Sequence, residues 1–529
     1  MLLKPVAVFL LSWLLISETL CQSKQQKNDG KIHIIFLQLN DIYEISPLEH
    51  GKIGGAARVA TIRNELKKIN PLTYTILAGD FLSPSALGTI KYDTAANKKI
   101  SGLQMVETLN AAGINLVTFG NHEFDISPAE LNAAIDRSSF DWVSSNVKLN
   151  DSTAAIKRFS KTKNNKTEPI PVTRLIPFKD ADGTQVKIGV FGLTIATPGT
   201  KRSEAYEDYY TAAAKAINEL KNKCDFIIAV THLDIAIDKE LARRFPEIQL
   251  IIGGHEHINS YDKVGNTIIA KADANVKSVY IHSLDYDIRA KKLNITSRLL
   301  TINNAIEEDK TTQAVVNKWN TLADSLLKNK GFQPCEILDS IADPLDGREA
   351  SIRTTQTNLG QLIGESMMEV LTEHTDCALY NSGSIRIDDV LMGYITQYDI
   401  FRVLPFENKI VIKELAGNVI DSLIKTNPNR ERDGSYLQYS GIVKNDTVFY
   451  INERALYKDT THYKVAMNYY LAMGLQPGLN FIGGLQPAAN TSPQLTIADN
   501  DMRKALIEKL RKRTGNKQWP SINSKVPCY

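Results

Sequence analysis

The sequence predicts an α/β protein of two domains. Its 529 residues exceed the size at which a single hydrophobic core keeps growing, so the chain is expected to divide. From Lys31 onward, apolar segments of strand length alternate with stretches of helical period, the pattern of β-α-β units. With 43% hydrophobic and 23% charged residues the composition is that of an ordinary globular protein. A formal net charge of +3 supplies no long-range field that would favour a nucleic-acid polymer or an anionic membrane as partner.

At the amino end, Lys4 precedes an apolar run from Pro5 to Ile16, and Ser17 to Gln22 follows, the layout of a signal peptide over residues 1–21. The run is too short to span a bilayer comfortably. Simple cleavage near Cys21 is the leading expectation. Lipid attachment at Cys21 ranks second, because Leu20 is larger than the small residue expected before an acylated cysteine. Either way the protein is expected to be exported, periplasmic or secreted, with no transmembrane segment once the leader is removed. The polar stretch 521–529 argues against a hydrophobic tail anchor. Cys224, Cys335, Cys377 and Cys528 would remain, too widely spread for a metal knuckle; an even count in an oxidising compartment permits disulfides.

Predicted strands cover 32–39, 74–77, 116–119, 186–191, 226–230 and 248–252, and predicted helices 57–68, 103–112, 128–136 and 212–220. They imply a mostly parallel sheet with helices on its faces, over a first domain of 31–305. A charged helix over 306–328, closed by Asn329-Lys330-Gly331, marks a linker at 306–330. The second domain, 331–529, holds a helix at 358–374 and strands at 378–379, 409–412 and 463–467. Its basic run 503–517 reads as a solvated helix face.

Position carries the chemistry. Asp41, Asp80, Asn121, His232 and His255 each fall just past the end of a predicted strand. In a parallel sheet those ends share one edge, so residues nearly two hundred positions apart converge there. Gly79, Gly120 and Gly253-Gly254 precede three of these positions and let the backbone turn sharply. Singly, a glycine-aspartate pair is usually a turn and a lone histidine is usually surface or satisfied core. Five in this order favour a metal centre.

The segments Leu39-Asn40-Asp41, Leu77-Ala78-Gly79-Asp80-Phe81, Phe119-Gly120-Asn121-His122-Glu123-Phe124-Asp125, Thr231-His232 and Gly253-Gly254-His255-Glu256-His257 resemble the successive metal motifs of calcineurin-like metallophosphatases. More closely they resemble the amino-terminal domain of 5'-nucleotidases, including periplasmic UDP-sugar hydrolases. The resemblance implies a layered β-sheet/α-helix metallophosphatase domain joined by a linker helix to a smaller α/β substrate-binding domain. It implies two divalent cations, with Asp80 bridging, Asn121, His232 and His255 completing one site, and Asp41 and His257 belonging to the other. Oxygen and nitrogen donors without thiolate suit Zn, Mn, Co or Mg. His122, oriented by Asp125, resembles the family's catalytic dyad.

One departure stands out. The family usually reads Asp-x-His where this chain has Asp41-Ile42-Tyr43. A phenol stays protonated near pKa ~10 unless a metal displaces the proton. His257 stands where many relatives place a weaker amide. Two readings stay open: ligand strength is exchanged across the site, or Tyr43 packs beside it.

In the second domain, Arg353 to Gly360 and Asn381-Ser382-Gly383-Ser384-Ile385-Arg386 resemble the family's substrate-binding motifs. The resemblance implies phosphate and ribose contacts from Arg353, Asn381 and Arg386, for which a planar guanidinium fork is well shaped. Leu404-Pro405-Phe406-Glu407-Asn408 matches one aromatic wall of the base pocket and Tyr470-Leu471-Ala472-Met473-Gly474 the other. Phe406, Asn408 and Tyr470 are thus expected at the base, with Tyr469 as an alternative to Tyr470. The family's ribose aspartate is missing from 474–480, leaving Gln476 or Asn480 to replace it, and Ser382 and Ser384 stand at customary glycines.

The resemblance implies hydrolysis of small-molecule nucleotides, foremost nucleoside 5'-monophosphates, with nucleotide-sugar pyrophosphates as further substrates. Two alternatives stay open: a 2',3'-cyclic-nucleotide phosphodiesterase with 3'-nucleotidase activity, and a nucleotide scavenger without turnover.

Overall fold

A run such as Phe226 to Val230 is apolar at every position because its strand is covered on both faces. The computed structural model shows how. It describes residues 28–93, 98–150, 156–196, 204–431, 433–485, 496–515 and 519, so the leader expected at 1–21, including Cys21, and Cys528 lie outside the described residues. The chain divides into two compact units, the first ending at Leu326 and the second beginning at Leu327.

The first unit starts with β1 (Lys31–Leu39), α1 (Ala56–Ile69), β2 (Thr73–Leu77), α2 (Leu103–Ala112), β3 (Leu116–Val117), α3 (Pro128–Arg137) and β4 (Asp141–Trp142). Gly113, at φ 77, closes α2 in the left-handed conformation. Ser127 and Glu130 cap α3 reciprocally, with Pro128 in its first turn. Next come β5 (Thr173–Lys179), β6 (Gln185–Thr194), α4 (Tyr209–Leu220), β7 (Phe226–His232), α5 (Ile235–Arg244), β8 (Ile248–Gly253), β9 (Ser260–Val264) and β10 (Thr267–Lys271). β11 (Ser278–Asp287) then returns to pair antiparallel with β1, and β12 (Lys292–Thr301) pairs with β11.

These strands form two six-stranded sheets, where the sequence suggested one. Their orders are β12-β11-β1-β2-β3-β4 and β5-β6-β7-β8-β10-β9. Even-numbered side chains face across the gap: Ile34, Phe36 and Ile76 of the first sheet share a core with Ile188, Val190, Ile228, Val230, Leu250 and Ile252 of the second. Odd-numbered ones, among them Phe191, Ile227 and Ile251, pack under α4 and α5. Full burial of each such side chain contributes roughly 1.5–3 kcal/mol. A strand sandwiched between sheet and helices is apolar on both faces, so its periodicity does not tell which sheet it joins. β1-β2-β3 and β6-β7-β8 are parallel within their sheets, and both sets end at the site described below.

The helix expected as a linker, α6, spans Lys310–Asn329, not 306–328, and nearly all of it belongs to the first unit. Asp309 sets the start: its carboxylate accepts the Thr312 N–H at 2.8 Å, while Ile306 is buried ahead of the helix. The division between units falls within the last turn of α6.

In the second unit α7 covers Asn358–Glu369, ending short of the predicted 374 as the chain meets Val370 and Thr372, β-branched residues of lower helix propensity. A five-stranded sheet follows, built from β13 (Cys377–Asn381), β14 (Lys409–Ala416), β15 (Leu437–Ser440), β16 (His462–Asn468) and β17 (Thr496–Asp501), in the order β15-β13-β16-β14-β17. The final helix α8 (Met502–Thr514) exposes Lys504, Arg511 and Lys512 of its basic run, as expected, but is not solvated throughout. Met502, Ala505, Leu506 and Leu510 are buried, Lys509 reaches Glu365 at 3.3 Å, and Arg511 pairs with Glu336 at 2.6 Å. Cys335 is disulfide-bonded, whereas Cys224 and Cys377 are free. No helix among the described residues is long and apolar enough to cross a membrane.

Candidate metal centre

Parallel pairing sets Leu39 beside Leu77 and Thr231 beside Gly253, so the chain leaves four neighbouring strands at one end of the first unit. Asp41, Asp80, His255 and His257 lie in these exits with φ of 52°, 54°, 94° and 58°. Left-handed backbone costs a non-glycine residue on the order of 1–3 kcal/mol and persists only where surroundings over-determine it. Glycine supplies the clearance: a Cβ on Gly120 would lie 2.0 Å from Asp80 Oδ1, and one on Gly254 2.5 Å from the Ala78 carbonyl.

One oxygen of Asp41, one of Asp80 and a ring nitrogen of His232 all lie within 4.8 Å of one another, and all three residues are fully buried. His232 Nδ1 faces the Ala78 carbonyl at 2.8 Å, which assigns the proton there and turns Nε2 inward. Nε2 is 3.0 Å from Asp80 Oδ2 but is not aligned for a hydrogen bond. Burial alone would depress His232, yet the charges of Asp80 and Asp41 outweigh it and push the imidazole up to about 9. Burial likewise opposes ionisation of Asp41, but His232 and His257 hold it well below the usual carboxylate range. Asp80 is lowered in the same way, against its own burial, by His232 and His122.

The residues fit divalent cations. Asn121 Oδ1 is buried without a hydrogen-bond partner, an unmet acceptor of the kind a cation satisfies. The Tyr43 hydroxyl lies 3.0 Å from Asp80 Oδ2, 3.3 Å from Asp41 Oδ1 and 2.9 Å from His257 Nε2, and His257 Nε2 lies 3.2 Å from Asp41 Oδ1. These contacts bring a phenol, two carboxylates and an imidazole together on the Asp41 side of the cluster. His255 packs edge-on against His232 with ring centroids 5.3 Å apart, and its Nε2 is 3.3 Å from Asp234. Above them His122 Nδ1 meets Asp125 Oδ2 at 2.7 Å, and the His122 N–H donates to Asp80 Oδ1 at 2.8 Å.

Two supports escaped the sequence reading. Glu123, buried, accepts the backbone N–H groups of Asp80, Phe81, Leu82 and Gly120 at 2.9, 2.7, 3.0 and 2.6 Å, gathering two ligand loops onto one carboxylate. Burial and the Asp80 charge push it up to about 7 in spite of these donors. Its place inside the Asn121-to-Asp125 motif was the available signal. Asn40 is the second: its amide donates to Asp41 Oδ2 at 2.8 Å and to the Ala272 carbonyl at 2.9 Å. By contrast His282 is wholly buried between Ser297 and Gln38, outside the cluster, and burial pushes it down to about 3.

The second unit gathers the candidate substrate residues separately. Arg353 pairs with Glu349 and senses the like charge of Arg386. Both guanidinium groups keep a buried Nε without a partner. Arg386 lies over the Phe406 ring, 5.5 Å from its centroid. Asn381 Oδ1 accepts from Asn468 at 2.8 Å and from the Ser384 hydroxyl at 3.2 Å, so Ser384 fixes Asn381. Asn408 accepts the Tyr470 N–H at 3.3 Å, joining the two aromatic segments, and Phe406, Tyr469 and Tyr470 are all exposed. Asn480 is committed to its own turn, donating to the Gly474 carbonyl at 2.7 Å.

Comparison with known proteins matches this layout. Residues 34–259 match the calcineurin-like phosphoesterase family, and residues 338–477 match the 5'-nucleotidase C-terminal domain. A trifunctional nucleotide phosphoesterase, YfkN of Bacillus subtilis, is 28% identical over 78% of this chain, which spans only 29% of that protein's length. The bovine 5'-nucleotidase is 24% identical over 74% of this chain and 69% of its own length. Among solved structures, the 5'-nucleotidase precursor of Thermus thermophilus superposes with a TM-score of 0.68 at 21% identity, covering 91% of this chain and 97% of that one. The sulfate thiohydrolase SoxB of Thermus thermophilus superposes with a TM-score of 0.63 at 14% identity, covering 91% of this chain and 94% of that one. One fold thus carries different named chemistries, and the likeness of these structures shows the fold alone. With both domain matches in order along the sequence, the chain belongs to the 5'-nucleotidase family, a calcineurin-like phosphoesterase domain followed by a 5'-nucleotidase C-terminal domain.

Proposed function

We propose that this chain hydrolyses nucleoside 5'-monophosphates to nucleoside and phosphate, with nucleotide-sugar pyrophosphates as further substrates. The observation that carries the proposal is the convergence of Asp41, Asp80 and His232 within 4.8 Å, with the His122–Asp125 pair beside them. Asp80, Asn121, His232 and His255 would hold one divalent cation, and Asp41, Asp80, His257 and Tyr43 the other, from among Zn, Mn, Co and Mg. Such a pair supplies Lewis acidity at the phosphoryl oxygens and makes water nucleophilic at neutral pH.

The chain's own groups do the rest. Asp125 fixes the His122 ring through Nδ1, which leaves Nε2 to donate to a phosphoryl oxygen and then to the departing ester oxygen. The N–H bond to Asp80 holds His122 in register with the carboxylate beneath it. In the second unit, Arg353 and Arg386 suit a phosphate ester, and Asn381 suits a ribose hydroxyl. Phe406 and Tyr470 offer flat faces for a base, and stacking is tolerant of which base it is. Asn480, exposed and donating only from its NH₂ to Gly474, and the more buried Gln476 are the two amides offered to the sugar. The leader-like segment 1–21 supports export to the periplasm or the exterior, and the mass of the mature protein tests both cleavage and lipid attachment at Cys21.

The test is phosphate release from a panel of 5'-, 3'- and 2',3'-cyclic nucleotides and nucleotide sugars, after reconstitution with each metal, with His122→Ala as control. Preference for 5'-monophosphates is expected. Preference for cyclic substrates would move the reading to a phosphodiesterase. Nucleotide binding with no release under any metal would make the protein a scavenger.

A further inference from the structure

We propose that Lys271 is a positioning residue for the metal centre, its buried ammonium group holding the two histidine-bearing loops of the second sheet in register. Lys271 ends β10 and is 1% exposed. Its Nζ donates to the carbonyl of Leu233, the residue after His232. The same nitrogen meets Glu256, between His255 and His257, at 2.5 Å, and Asp238 of α5 at 2.9 Å. Glu256 is held at its other oxygen by the N–H of Ile235, the first residue of α5. One cation therefore touches both loops that carry His232, His255 and His257.

The path for this side chain is built in. A Cβ on Gly253 would lie 2.8 Å from Lys271 Cε and 3.3 Å from Asp238 Oδ2, so glycine at that strand end leaves the lysine its passage. Burial disfavours the charge on Lys271, but the two carboxylates outweigh it and hold the amine above its ordinary value. With Glu256 anchored inward, its two neighbours are held at φ 94° and 58°, conformations that need an external constraint. Neither Lys271 nor Asp238 touches a candidate ligand side chain in the contacts described. The lysine acts through loop geometry.

The inference rests on His232, His255 and His257 as ligands, and the experiment separates the two claims. Metal-stripped protein is titrated with Zn²⁺ alone, and the Co²⁺-loaded form is read by its visible spectrum, which reports ligand geometry and not global stability. Lys271→Met and Glu256→Ala should each weaken Zn²⁺ binding about 10–100-fold, as loss of an outer support does, and alter the Co²⁺ bands. Because they act as one unit, the double variant should lose little more than either single one. Zn²⁺ affinity within twofold of the parent, with an unchanged Co²⁺ spectrum, overturns the proposal, as do losses that add in the double variant. Should Lys271→Met fail to fold, Glu256→Ala decides alone by the same criteria. If His255→Ala also leaves Zn²⁺ binding unchanged, the ligand assignment falls and the proposal falls with it.

Discussion

Glu123→Gln removes one oxygen from a carboxylate that serves four backbone N–H groups. In the parent, Oε1 accepts from Phe81 and Leu82 and Oε2 from Asp80 and Gly120. A glutamine keeps one carbonyl oxygen for one pair and turns an NH₂ toward the other, so two buried donors lose their acceptor. At roughly 1–3 kcal/mol for each unsatisfied group, the first unit loses about 2–6 kcal/mol. For a unit of this size, a melting-point drop on the order of 2 °C per kcal/mol gives roughly 4–12 °C. Calorimetry of the metal-stripped protein measures it. Cation affinity should fall in parallel, because the Asp80 and Gly120 loops lose their common anchor. A melting point within about 1 °C of the parent, with unaltered cation affinity, would refute the view that Glu123 organises the ligand loops.

Three further outcomes are expected. Tyr43→Phe should weaken one of two bound cations and spare the other, and Tyr43→His, which offers an imidazole near neutral pH, should restore or tighten it; equal stoichiometry and affinity in all three proteins would mean that Tyr43 only packs. His232 stands at about 9 in the metal-free protein, above the roughly 6.5 of a free imidazole. Its stabilising contribution is therefore complete below that lower value and lost as pH rises through the higher one. The same proton must leave for a cation to bind, so cation affinity should rise with pH up to about 9, and calorimetry in buffers of different ionisation enthalpy should show proton release near pH 7.5; binding without release contradicts the assignment. Tyr470→Ala should raise KM by a factor of about 5–150, from the roughly 1–3 kcal/mol of one stacked base, with kcat little changed; if Tyr469→Ala does so instead, the pocket wall is the neighbouring ring.

The candidate positions were legible because each sits where an apolar run ends in glycine or a polar turn, and a parallel sheet brings such ends together. Asp41, Asp80 and His232 indeed meet in space. The division into two sheets was not legible, since Ile227 to Val230 is apolar whether it faces a helix, a second sheet or both. Nor were the contacts of Glu123 and Lys271, which reach backbone groups, or of Asp238, which meets Lys271, because a sequence does not show which distant group a side chain will reach. The half-buried face of α8 follows from the same limit, because Glu336 meets Arg511 only in the fold, whereas the start of α6 at Lys310 rests on a local cap, Asp309 accepting the Thr312 N–H three residues on. In the second unit the motif residues were found by resemblance, and the structure adds that Ser384 and Asn408 hold Asn381 and Tyr470.

The central claim is that the carboxylates and imidazoles at these strand ends hold the cations that make the protein a nucleotide hydrolase. It is tested most directly by measuring phosphate release from a nucleoside 5'-monophosphate as metal-stripped protein is titrated with a divalent cation, alongside Asp80→Ala. No release by the stripped protein, recovery that saturates at two cations per chain, and no recovery in Asp80→Ala are expected. Full release by the stripped protein, or by Asp80→Ala at the same cation concentrations, would contradict the account.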